Sequence, residues 1–417
     1  MWYFIFQRLQ ARHTLGKIVS DARNGGADCL SPPGKRLSQQ MKSKATTAAS
    51  KARTRLPVEL LRKTLCHSAQ EIRSWTQGLK WEGWNVGLLD GSTFRLRPHG
   101  DIAKAFPPHR PGNTKKEPYW CLVRVVAAFC LNSGVVLDCA MGDLKQSEQA
   151  LCAQLLAAGS WLKWIFVGDR NFGVYSVARG ATAASAHALL RLTEARARKL
   201  AGQAGHKLRP GLDVPILWIP SSHDQCPQGL EAQPVAGRMV VVRVQVPGFR
   251  AQELYLFTTL TDRSLYSAAK LAQLYGQRWQ IELFLRHVKT QMDMELIECK
   301  SADMARKEWL ASLVAYNLIR SIMVAAAAKA HIPVILLSFS RTADFFHDWL
   351  IRWLMDPSKT AGWEQLLDDV ASVRQPRRKK PRLSEPRAVR RFNRDFPELI
   401  GDRAAARETL KIANAKS

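Results

Sequence analysis

Residues 84–96 read WNVGLLDGSTFRL, an apolar run closed by Asp90 and followed by Gly91 and Ser92. A short apolar run that stops at turn residues reads as a buried strand. Outward from it the same pattern repeats. YWCLVRVVAAFCLN (119–132) and GVVLDCAMGD (134–143) are two hairpin-like strands divided by Asn132-Ser133-Gly134. SEQALCAQLLAAG (147–159) reads as a helix, and WLKWIFVGD (161–169) as a strand closed by Asp169. Strand, strand, strand, helix, strand describes an α/β chain with a mixed sheet flanked by helices. In that order Asp90 and Asp169 end strands that can be neighbours. Each has an ordinary reading too, as a turn aspartate capping a strand end.

Further along, VYSVARGATAA (174–184) reads as a helix and AHALLRLT (186–193) as a strand. The stretch from about 195 to 262 then holds VPILWIP, RMVVVRVQVPGF and QELYLFTTL. These are β-branched, alternating runs punctuated by Pro and Gly, and they read as a β-rich insertion.

Beyond it lies YGQRWQIELFLRHVK (275–289), where Tyr275, Arg278, Glu282 and Lys289 are spaced Y-x2-R-x3-E-x6-K. At about 100° per residue, these positions fall within roughly 60° of one another on a helix. A phenol, a guanidinium, a carboxylate and an ammonium thus share one stripe, while Ile281, Leu285 and Val288 point to a core. The ordinary reading is a solvated face with an Arg278–Glu282 pair worth a few tenths of a kcal/mol. The alternative combines Glu282 with the two aspartates. Asp90, Asp169 and Glu282 are hard oxygen donors suited to Mg²⁺ or Mn²⁺, ions that also bind substrate phosphates.

With these motifs in place, the chain resembles the DDE transposases of the insertion sequence four family. The resemblance rests on DGST (90–93), GDRNFG (168–173), RWQIELFLRHVKTQM (278–292) and CKSADMARKEWLASLVAYNLIR (299–320). It is close over about 84–320, and the Tyr-Arg-Glu-Lys stripe matches without departure. The resemblance implies an RNase H-like fold, two divalent ions and cut-and-paste DNA transposition, with a liberated 3′-OH that forms a hairpin and then joins target DNA. It implies a homodimer bridging two transposon ends, and an insertion that touches the end. Trp218 is the only tryptophan of the insertion. Its ring either stacks a flipped base or packs as an ordinary strand tryptophan.

The expected roles follow from phosphodiester chemistry, which needs a placed nucleophile and neutralised phosphate charge. Asp90 would bridge two ions, and Asp169 and Glu282 would each complete one. Tyr275, Arg278, Lys289 and Trp218 are the DNA-contacting candidates, with Arg278 using its planar fork. Two other functions fit the same residues: a metal-dependent nuclease without strand transfer, and a non-catalytic, transposon-derived DNA-binding protein.

Composition points the same way. The chain has 417 residues and a formal charge of +27, from 62 Lys+Arg against 35 Asp+Glu. Such an excess marks a polyanion binder, here double-stranded DNA. No apolar run of about 20 residues is free of charge, so no membrane partner is expected. SIMVAAAAKAHIPVILL (321–337) comes closest, interrupted by Lys329, His331 and Pro333. The eight cysteines include no CxxC pair, which argues against structural zinc and fits a reducing cytoplasm. There the protein would associate with the nucleoid when bound to DNA.

Three regions are expected. Residues 1–75 form a basic, helical region read as DNA-binding, with Leu60, Leu61, Leu65 and Cys66 at helical spacing after Pro57. Residues 76–355 form the catalytic domain, interrupted by the insertion. Residues 356–417 form a basic tail, in which RQPRRKKPRLSEPRAVRR (374–391) reads as disordered in the free protein and able to neutralise phosphates.

Overall fold

Nine strands form one sheet: β1 (Asn85–Leu96), β2 (Cys121–Cys130), β3 (Val136–Gly142), β4 (Trp164–Gly168), β5 (His187–Arg191), β6 (Asp213–Trp218), β7 (Val235–Val244), β8 (Gln252–Thr258) and β9 (Leu296–Ile297). The computed structural model describes residues 1–9, 14–26, 28–32, 34–76, 78–108, 120–224, 226–227, 229–244, 252–356, 362–375, 402, 404–405 and 408–409.

The order across the sheet is β3-β2-β1-β4-β5-β8-β7-β6, with β9 beside β1. β2 is antiparallel to both β1 and β3, whereas β1, β4 and β5 run parallel. β8, β7 and β6 return antiparallel. The central strands read as nearly unbroken apolar runs because both faces are covered. The helices Glu148–Ala157 and Tyr175–Ala183 cover one face. Val58–Ser74 and the long helix Ala302–Lys329 cover the other, where Phe94 of β1 meets Trp309 with ring centroids 4.4 Å apart.

The long helix is the one helix among the described residues with the length and composition to cross a membrane. In this fold it is buried almost throughout, as the central helix of the core.

Three expectations change in detail. The stretch 195–262 opens with a helix, Glu194–Gln203, rather than a strand. Its strands also do not stand apart. β8 pairs with β5, so the core sheet continues through the insertion. The free edge of β5 offers unpaired N–H and C=O groups that a following strand satisfies. Lastly, residues after 355 include the helix Trp363–Ser372, whose Leu366, Leu367 and Val370 are buried against the core. The basic stretch 376–391 lies outside the described residues.

The N-terminal region is helical, as expected, and it is also packed. Phe4, Ile5, Phe6 and Leu9 of the helix Trp2–Leu9 are buried, and this helix lies against the long helix. Buried Glu308 of the long helix accepts from two N-terminal arginines, Arg8 at 2.7 Å and Arg53 at 2.5 Å. Arg53 also lies over the Phe4 ring at 4.2 Å. Removing one member of a buried charge cluster leaves the others uncompensated. Glu308→Ala is therefore expected to lower unfolding free energy by roughly 3 kcal/mol, measured by urea denaturation. Glu308→Gln should lose less.

Candidate active site

β4 stops at Gly168, having paired with β1 only over Asn85–Leu88, and β9 pairs with β1 only at Arg95–Leu96. Between these two partners that edge of β1 is open, and Asp90 sits in the opening. Leu88 is paired with Val167. Asp90 and Asp169 each follow by two residues, so both fall on the same face. This is the face of Phe94 and the long helix. The expectation that β1 and β4 are neighbours is met, but Asp90 does not end its strand: β1 runs on through Gly91 and Ser92 to Leu96 because β2 stays paired with it along that whole length.

Asp90 is largely withdrawn from water, and its Oδ1 accepts the Gly91 N–H at 2.8 Å. Burial pushes its carboxyl up to about 6, and the charges of Asp169 and Glu148 add to the rise. The Gly91 N–H and Arg278 work against it. Asp169 anchors its own turn, its Oδ1 accepting from the N–H groups of Asn171 at 2.9 Å and Phe172 at 3.4 Å. The turn-capping reading of Asp169 thus holds together with a place beside Asp90.

The stripe is not one regular helix. The chain runs as the α-helix Ala268–Gly276, a 3₁₀ turn Gln277–Trp279, the α-helix Gln280–Arg286 and a π turn His287–Gln291. A tighter turn and a wider turn replace the uniform 100° step, but the polar residues keep one side. Tyr275 is 7% exposed. Burial raises its phenol, and Arg191 at the end of β5 hydrogen-bonds to it. Arg278 has its side chain only 18% exposed and donates to Glu282 Oε1 at 3.2 Å. Burial disfavours its charge, yet Tyr275, Asp90, Asp169 and Glu282 together hold its pKa above the ordinary value. The ordinary i,i+4 pair therefore exists, but its arginine is half-buried and lies within range of both aspartates' charges.

Glu282 has its side chain 67% exposed and turned to Arg278. Among the described residues no three acidic, His or Cys side chains are gathered closely enough to hold a metal ion. The donor set still suits a hard cation, since all three groups are carboxylates. Lys289 stands farther along, its Nζ 5.5 Å from the Phe94 ring centre. Phe94 is four residues beyond Asp90 on β1, roughly 13 Å along a strand.

Trp218 needs correcting as a DNA-contacting candidate. It is 3% exposed, with its ring edge-on to Phe257 at 4.9 Å and Tyr175 at 6.3 Å. Strand alternation turns it into the core while its neighbours Leu217 and Ile219 face outward. No ring face is left for a base. Arg191, Glu148 and Asn171 were not singled out from sequence. Glu148 carried one readable signal, a first-turn acid directly after an N-capping serine.

An acidic pair, with Asp90 midway along β1 and Asp169 just past the end of β4, lies beside a helical segment that carries Arg278 and Lys289. The family model described as Transposase DDE domain matches residues 81–318, more than half of the chain, and the chain belongs to that family. Transposase InsG for insertion sequence element IS4, from Escherichia coli (strain K12), is 27% identical over 352 residues, covering 79% of this chain and 73% of the relative. The chain is thus a DDE transposase of the IS4 family. Among solved structures, a cryo-EM structure of piggyBac transposase synaptic complex with hairpin DNA aligns with 92% of this chain and 77% of its own, at 12% identity and a TM-score of 0.40.

Proposed function

We propose that this transposase cuts the ends of its DNA element and joins them to target DNA through an RNase H-like core, using Asp90, Asp169 and Glu282. The observation that supports the reading is that Asp90 in the open stretch of β1 and Asp169 just past the end of the neighbouring β4 act on each other's charge and on Arg278, which is paired with Glu282. The RNase H-like reading is supported by the order β3-β2-β1-β4-β5 with β2 alone antiparallel to its neighbours in the β1–β4 region.

Mg²⁺ or Mn²⁺ held by the three carboxylates would supply charge neutralisation and activation of the attacking oxygen. Glu282 would join that set if it exchanged its Arg278 partner for the ion, a small change for an exposed side chain whose ion pair is worth little. Arg278 is then released to grip a phosphate beside the cleaved bond with two parallel donors. Lys289 neutralises a phosphate farther along the strand, and Tyr275 braces the helix against Arg191. The partner is double-stranded DNA, bound by a homodimer that bridges two ends in the bacterial cytoplasm.

Lys289→Ala is expected to weaken binding or cleavage of end DNA while metal affinity stays near wild type. Arg278→Lys should also be costly, because an ammonium cannot copy a bidentate contact. End-cleavage rates at fixed Mg²⁺ and salt check both, and wild-type rates would return the stripe to a solvated face. The whole reading is tested by incubating the protein with Mg²⁺, a target plasmid and DNA carrying both ends of the element that encodes it. Joined product supports transposition. Cut product alone indicates a nuclease, and a gel shift alone indicates a non-catalytic binder.

A further inference from the structure

We propose that Glu148 is a positioning residue. Working from the far side of the sheet, it fixes the Asp169 turn through Asn171 and braces β1 beneath Asp90, so that both aspartates are presented together. The proposal rests on the reading of Asp90 and Asp169 as metal-binding carboxylates.

Glu148 opens the helix Glu148–Ala157, after Ser147, whose Oγ accepts the Ala150 N–H at 3.1 Å. Side chains alternate along β1, so position 91 faces away from the side on which Asp90 stands. The Glu148 carboxylate lies directly against Gly91, and a Cβ at that position would overlap it. Glycine is what allows the helix end to approach the strand so closely. Because Glu148 is behind the sheet, it is not placed as a further ligand.

From there the contacts lead to Asp169. Glu148 Oε2 accepts from Asn171 Nδ2 at 2.5 Å. Gln149 Nε2 donates to Asn171 Oδ1 at 2.6 Å and to the Asn171 carbonyl at 3.0 Å. Both ends of the Asn171 amide are thereby held by the first turn of one helix. The Asn171 N–H in turn donates to Asp169 Oδ1 at 2.9 Å. The same carboxylate that packs against the residue after Asp90 therefore also orients the turn of Asp169. Arg124 fastens the approach to this helix, donating to the carbonyls of Leu144 at 3.3 Å and Gln146 at 2.5 Å.

The competing role is a first-turn acid that merely stabilises its helix. That role predicts a lower melting temperature for Glu148 variants and no effect of Asn171→Ala on metal. Positioning predicts that Asn171→Ala reproduces the loss.

The test is Mn²⁺ titration of the full chain without DNA, by calorimetry, with thermal unfolding of each variant alongside. Glu148→Ala and Asn171→Ala are expected to weaken Mn²⁺ binding about tenfold or more, the usual scale for residues that orient ligands. Glu148→Gln should restore most of the affinity, since its amide oxygen still accepts from Asn171. Asp169→Asn serves as the reference and should remove most binding. If Asp169→Asn is defective while Glu148→Ala and Asn171→Ala bind like wild type, the brace is wrong and the metal reading stands. Wild-type Mn²⁺ binding by Asp169→Asn would overturn the metal reading, and the brace with it. Should Glu148→Ala fail to fold, Asn171→Ala, at a half-buried turn outside the core, decides alone.

Discussion

Glu282→Ala is expected to lower cleavage of end DNA by about 10³-fold or more while leaving DNA affinity within a few-fold of wild type. A magnitude on that scale follows from removing a group that stabilises charge at a phosphoryl-transfer centre, where positioning and electrostatics do nearly all the work. DNA affinity should survive because Glu282 is an anion on a basic surface and contributes nothing attractive to a phosphate. The structure sharpens the prediction. Glu282 is exposed and, among the described residues, is paired with Arg278 alone, so its loss costs little stability and the variant should fold. If the stripe were a solvated face, the same change would cost a few tenths of a kcal/mol and leave cleavage unaltered. Single-turnover cleavage in Mg²⁺, beside a binding isotherm for each protein, distinguishes these outcomes. Retained cleavage would remove Glu282 from the site.

DNA affinity is expected to fall by about 10³-fold or more between 50 and 200 mM salt, the loss typical of six or more phosphate contacts. The motive is the +27 formal charge, which acts through counterion release whatever the DNA sequence. Truncation after Gln375 should flatten the slope, because the stretch RRKKPR (377–382) and the arginines beyond it are then gone. The structure sets the cut point. The Gln375 N–H donates to the Leu336 carbonyl at 2.7 Å, and Arg374 bridges to Leu337. A cut upstream of Arg374 would disturb the packing of the helix Trp363–Ser372 and confuse lost charge with lost structure. Affinities for end DNA and for unrelated duplex, plotted against salt for both proteins, give the result. An unchanged slope means that the tail does not touch DNA.

The two aspartates were legible because each closes an apolar run, a pattern that survives without any tertiary context, although only Asp169 sits at a turn and β1 runs on past Asp90. The stripe was legible as spacing, although its helix is interrupted by a 3₁₀ and a π turn. Glu282 and Arg278 remain i,i+4 neighbours despite the break, and so their bond persists. Trp218 shows the opposite case. A lone tryptophan in a β-rich segment looks the same whether its ring faces a base or the core, and only alternation along β6 against a packed face decides it.

By itself, the sequence determined most of the elements, the acidic residues that close their apolar runs and the charge that selects a polyanion. These follow from local periodicity, turn chemistry and composition, all of which act over a few residues or over the chain as a sum. Tertiary structure alone decided which strands are neighbours, that the insertion extends the core sheet and that the N-terminal helices are anchored on Glu308. It also decided that Arg278 is half-buried near three carboxylates and that Glu148 reaches Asn171 from behind the sheet. Those outcomes depend on contacts between residues far apart in the chain. Burial and hydrogen bonding are set there by what packs opposite, which no local pattern encodes.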